Sequence, residues 1–97
     1  MELRKNDTEK GDVVYVKTHN SLYMLRVYGD GEYDVSGGWF TRHGIKHVNT
    51  GIYGCTWGGS AIKTDIIAAC GLMLEFRNRL KTSCIEKFYV IHHCDLQ

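Results

Sequence analysis

Apolar and polar residues alternate along the first third of the chain with a period of two, the spacing of a half-buried strand. Residues 12–18 carry Val13, Val14, Tyr15 and Val16, and residues 21–28 carry Leu22, Tyr23, Leu25 and Val27. These β-branched and aromatic side chains fit a pleated surface, so the two runs predict a hairpin turning at His19-Asn20. Gly29-Asp30-Gly31 holds an Asp-Gly pair that tolerates left-handed backbone, and it leads into residues 32–36, where Tyr33 and Val35 alternate with polar neighbours. A three-stranded antiparallel meander is the expectation.

The pattern then changes. Residues 29–59 contain nine of the eleven glycines and both tryptophans. That much glycine argues against a helix, so 46–53 is expected to supply one short strand and the rest to form shaped loops around Trp39, Phe40, Tyr53 and Trp57. Residues 62–74 fit two descriptions. Ser60 or Thr64 could cap a short helix ended by Gly71, with Ile62, Ile66, Ile67 and Cys70 on one face. The two β-branched isoleucines and the shortness of the apolar run favour a buried strand. Further on, Leu72, Leu74 and Phe76 alternate with Met73, Glu75 and Arg77, which predicts a strand. Asn78-Arg79 offers a turn, 80–82 a return strand, Ser83-Cys84 a kink, and 85–91 a further β-rich run. About six short strands in 97 residues indicate an all-β barrel or sandwich, with an α+β fold carrying one short helix near 61–70 as the alternative. The charged residues 1–11 are expected to be a disordered or frayed lead, and 12–97 a single β-rich domain.

Three stretches resemble small, uncharacterised bacterial proteins with SH3-like barrels: Thr18-His19-Asn20-Ser21-Leu22-Tyr23, Val35-Ser36-Gly37-Gly38-Trp39-Phe40 and Leu80-Lys81-Thr82-Ser83-Cys84-Ile85. The resemblance covers most of the chain after Gly11 and implies a small SH3-like barrel of about five to six short antiparallel strands. It implies no activity, because fold does not carry function.

Composition narrows the classes. A formal charge of +1 gives no global drive toward nucleic acid or an anionic membrane. The longest apolar stretch, 66–74, is far short of the roughly 18 residues of a spanning helix. The polar beginning of the chain has no signal-peptide core, so a cytoplasmic protein is expected, with Cys55, Cys70, Cys84 and Cys94 as free thiols. The chain has no proline, which removes one means of blunting strand edges. Together with apolar β-rich runs, this leads to the expectation of a homodimer or higher homo-oligomer.

Residue type and spacing bear on four chemistries. His92, His93 and Cys94, with His43, His47 and Cys55 elsewhere, are zinc-type ligands, but no Cys-x-x-Cys pair exists, and adjacent His92 and His93 would diverge on an extended chain. Cys55 beside His43 or His47 would suit a nucleophile, yet no local signature fixes such a pair. The run from Trp57 to Thr64 lacks the glycine that a phosphate loop places before its lysine. Arg77, Arg79, Lys81 and Lys87 could contact nucleic acid, with Tyr23, Trp39 and Tyr53 as stacking groups, although Glu75 and Glu86 dilute the charge. The residues favour binding over catalysis and no cofactor or metal. The expected protein is a binding module for a small molecule, peptide or protein partner, with Trp39, Phe40, Arg42, His43, Tyr53 and Trp57 as its ligand-binding residues. A nucleic-acid-binding barrel using the turn at 77–81 and a purely structural homo-oligomer subunit are the alternatives.

Overall fold

In chain order, the computed structural model contains strands β1 (Glu2–Arg4), β2 (Val13–Thr18), β3 (Leu22–Gly29) and β4 (Glu32–Gly37), then the short helix α1 (Gly38–Arg42). Strands β5 (Val48–Gly58), β6 (Ala61–Lys63), β7 (Ile66–Ala69), β8 (Met73–Phe76) and β9 (Lys81–Ile91) follow. Residues 2–58 and 61–95 are described. Single turns of 3-10 helix stand at Lys5–Asp7 and His93–Asp95.

The expected meander forms as β2, β3 and β4, with Val14 opposite Leu25 and Leu25 opposite Val35, all three fully buried. Strand order runs β4-β3-β2-β9-β8-β5, and pairing of β4 with β5 closes the circle. The fold is therefore a closed six-strand antiparallel β-barrel with one short helix. Closure leaves these six strands without a continuous open edge. Beyond Gly51, where β5 parts from β4, the strand pairs with β6. Val14, Val16, Leu25, Val35, Leu74 and Phe76 point inward and form the core.

Several segments differ from the sequence expectation. In the lead read as frayed, Glu2–Arg4 pairs antiparallel with β7, because Leu3 has an apolar face to cover and is buried there. The helix lies at Gly38–Arg42, inside the glycine-rich region, whereas 61–70 is extended as β6 and β7. Gly38 explains the first difference. Its φ of +48° suits glycine, and a Cβ there would enter the Tyr23 ring, so the chain turns tightly over that ring before starting α1. The second follows from burial on all sides: all four residues of β7 are buried, which suits a short β-branched strand. Ser60, the alternative helix cap, lies outside the described residues. The kink expected near Ser83-Cys84 is a bulge, since Met73 pairs with Cys84 but Glu75 with Lys81.

Candidate functional site

The six residues selected from sequence fall into two groups and one core position. On α1, the Trp39 N–H donates to the Tyr23 hydroxyl at 3.1 Å, which fixes the start of the helix over the barrel. Phe40 is 1% exposed and packs edge-on against Tyr23 and Phe76, with centroids 6.3 and 5.5 Å away. It closes the core and has no exposed surface to offer a ligand. Trp39 is half-buried and stacks on His43 at 3.9 Å, and Nδ1 of His43 lies 2.7 Å from the Trp39 carbonyl oxygen. Arg42 donates from Nη1 to Oγ of Ser21 at 2.7 Å. Trp39, Arg42 and His43 are thus brought together, with Nη1 of Arg42 and Nδ1 of His43 engaged within the fold.

The second group is on β5. Pairing with β8 skips from Ile52 opposite Phe76 to Gly54 opposite Glu75, which leaves Tyr53 as an extra residue. Pairing with β6 skips from Thr56 opposite Ile62 to Gly58 opposite Ala61, which does the same at Trp57. A bulge re-aims its side chain, so Tyr53 and Trp57 face outward at 39% and 59% exposure while Cys55 between them is buried. The Arg79 guanidinium lies 5.6 Å from the Tyr53 ring centre and Nζ of Lys63 lies 5.5 Å from that of Trp57. Lys63 also meets Oε2 of Glu2 at 2.6 Å. Close approach of β6 depends on Gly54, where a Cβ would strike the Lys63 carbonyl.

The basic turn after β8 is only partly available. Arg77 holds Glu32 through two parallel bonds of 2.5 and 3.0 Å, which keep the Glu32 carboxyl below its ordinary range. Arg79 instead faces Tyr53, so the turn expected to serve nucleic acid joins the β5 aromatic face. Burial pushes the Cys55 thiol up to about 12, which disfavours its thiolate at neutral pH. Among the described residues, no group of three or more His, Cys, Asp or Glu side chains is arranged to hold a metal. His92 and His93 do not diverge as an extended chain would require, because the chain leaves β9 and begins a 3-10 turn. Both rings reach the carboxylate of Asp12, at 3.2 and 3.0 Å.

Asp12 is a fully buried charge that sequence reasoning missed. Burial acts to raise its carboxyl, but N–H donation from Glu9 and His93, each at 2.9 Å, together with the two imidazoles, outweighs it and holds the group far below the usual carboxylate range. The hydrogen bond to Asp12 in turn raises His93. The signal was thin: one Asp beside a strand start and a histidine pair 80 positions away. Three surface clefts of about 300, 430 and 320 Å³ open beside Asp65, Ile45 and Gly29, and none is lined by Trp39, Phe40, Arg42, His43, Tyr53 or Trp57. No helix among the described residues is long and apolar enough to cross a membrane. No family model, curated protein or solved structure matches the chain.

Proposed function

We propose that this chain is a non-catalytic protein-binding module whose contact surface is the outer face of β5 with the adjoining edge of β6, and that in the purified protein it joins two copies. The observation that carries this is the pair of outward bulges. A small domain with two tryptophans gains most by burying both, yet Trp57 is 59% exposed and oriented by an extra strand residue. Tyr, Trp and Arg are the side chains that most often dominate protein interfaces, and here Tyr53 and Trp57 both face outward from β5 with Arg79 beside Tyr53. Among the described residues β6 pairs with β5 alone, so its outer backbone groups can add a strand. An isologous contact of β6 with its copy across a two-fold axis would cover Trp57 of both copies at once.

A small-molecule ligand fits less well, because these residues line an open face and the three clefts described above lie elsewhere. Sedimentation equilibrium provides the test. The wild-type chain is expected to associate reversibly, and Trp57→Ala to weaken association by roughly 2 kcal/mol, about thirtyfold. The urea midpoint of that variant should stay near wild type, within ~0.5 kcal/mol, since Trp57 is outside the core. A wild-type chain that remains monomeric at the highest concentrations, or a variant that associates equally well, would overturn the proposal.

A further inference from the structure

The outer face of β3, β2 and β9 carries a second arrangement that the β5 surface does not use. In an antiparallel ladder, directly opposed residues share a face, so the register assigns the outward rows without ambiguity. One row runs Met24, Tyr15, Tyr89; the next runs Leu22, Lys17, Lys87; a third on the other side runs Arg26, Val13, Ile91. Their inward neighbours Val14, Val16, Leu25 and Tyr23 are buried in the core, which leaves all of these side chains except the buried Val13 on the outside. Tyr89 is 55% exposed and Leu22 51%, while Tyr15 and Lys17 are half-buried.

One feature of these rows supports the ladder and one opposes it. Two tyrosines sit directly across from each other, with rings about 5 Å apart at their Cβ atoms, and two lysines sit directly across from each other one row away. Opposed like charges weaken a ladder. Glu86, 3.7 Å from Lys17, offsets part of this, but Lys87 forms no salt bridge among the described residues and its Nζ lies 5.8 Å from the Tyr89 ring centre. Arg26, in the third row, is opposed by Asp34 on β4. The face therefore presents adjoining flat rings with cations on both sides, of which Lys17 meets Glu86 and the Thr18 carbonyl and Arg26 stands opposite Asp34, while Lys87 is left beside the Tyr89 ring.

We propose that this face binds single-stranded nucleic acid, with Tyr15 and Tyr89 stacking bases and Lys17, Lys87 and Arg26 contacting phosphates. Every base has a face to stack on an aromatic ring, and a charged row beside the rings follows the backbone. Rows in a strand repeat every two residues, about 7 Å, so rings and ammonium groups are offset as the bases and phosphates of an extended strand are. A duplex keeps its bases stacked on one another and cannot use the rings. The inference uses none of Tyr53, Trp57, Lys63 or Arg79, and so stands apart from the protein-binding surface.

Fluorescence anisotropy with labelled oligothymidylate and oligouridylate of about 12 nucleotides tests it on the intact chain. Wild-type protein is expected to bind one or both, to lose affinity steeply between about 50 and 200 mM salt, and to bind a duplex of the same length much more weakly. Comparison of the two oligomers decides between DNA and RNA. Tyr15→Ala/Tyr89→Ala should weaken binding by about a hundredfold, tenfold per ring. Lys17→Gln/Lys87→Gln should reduce the salt slope by about 1.4, two phosphate contacts at about 0.7 each. Glu86→Gln should strengthen binding, and Trp57→Ala should leave it unchanged. Circular dichroism separates unfolding from loss of contact, and Tyr89→Leu, which keeps a strand-compatible side chain without a ring, should still lose binding. Absence of salt-sensitive binding by the wild type, equal binding of the duplex, preference for anionic lipid vesicles over both oligomers, or dependence on Trp57 would overturn the inference.

Discussion

Asp12 shows how one residue can fix two distant parts of the chain. Its fully buried carboxylate accepts from the loop before β2 and from the segment after β9, so removing its charge leaves several donors without their acceptor. Asp12→Asn should cost about 2 kcal/mol in urea denaturation, the scale of losing a charge-assisted hydrogen bond in a buried setting. The pH dependence follows from the signs. Asp12 is depressed from 3.8, so its contribution is present above that value and lost as pH falls through the lower folded-state value. His93 is raised from 6.5, so its contribution is fully present below 6.5 and lost as pH rises through the higher folded-state value. Melting temperature should therefore peak between about pH 4 and 6.5 and fall toward pH 8, and His93→Gln should remove the alkaline part of that fall. A second residue-scale expectation concerns the thiols. Cys70 and Cys84 are exposed and should react with iodoacetamide in the folded protein at pH 8, whereas Cys55 should react only after denaturant is added.

Among the elements, β6 depends on a single glycine. At Gly54 the backbone sits at φ +150°, and a Cβ would meet the Lys63 carbonyl and the Thr64 backbone. Gly31 has a φ of +77° with open space around it. Gly54→Ala should therefore cost about 3 kcal/mol and Gly31→Ala only about 1 kcal/mol, measured as the difference in unfolding free energy. The elements also show what was legible in the sequence. Strands β2, β3 and β4 could be read because one face of each is buried, which writes a period of two into Val14, Val16, Leu25, Val27, Tyr33 and Val35. The turn at Asp30 was legible from its glycine neighbours. Helix α1 was not, because five residues that begin on the second of two glycines have no amphipathic period and form by packing Phe40 into the barrel end. Strand β1 was hidden for a related reason: its one apolar residue, Leu3, finds a partner only through a long-range pairing with β7. Of the candidate site residues, Tyr53 and Trp57 could be selected by composition, but Phe40 could not be told from them until its contacts were known.

At the scale of the whole molecule, closure of the barrel leaves β1, β6 and β7 as short strands with one partner each among the described residues, and the exposed aromatics Tyr28, Tyr53, Trp57 and Tyr89 lie on β3, β5 and β9. A formal charge of +1 hides this local organisation, since Lys17, Lys87 and Arg26 gather on one face while Arg77 and Lys63 are held by Glu32 and Glu2. The account places protein association on the face of β5 and the edge of β6. Amide hydrogen exchange at low and high protein concentration tests that placement most directly, because it reports where backbone donors become protected. The account predicts slower exchange on concentration at Ala61–Lys63 and the adjoining part of β5, with the β2–β9 ladder unchanged. Exchange that is independent of concentration, or protection that grows elsewhere on the barrel, would contradict it.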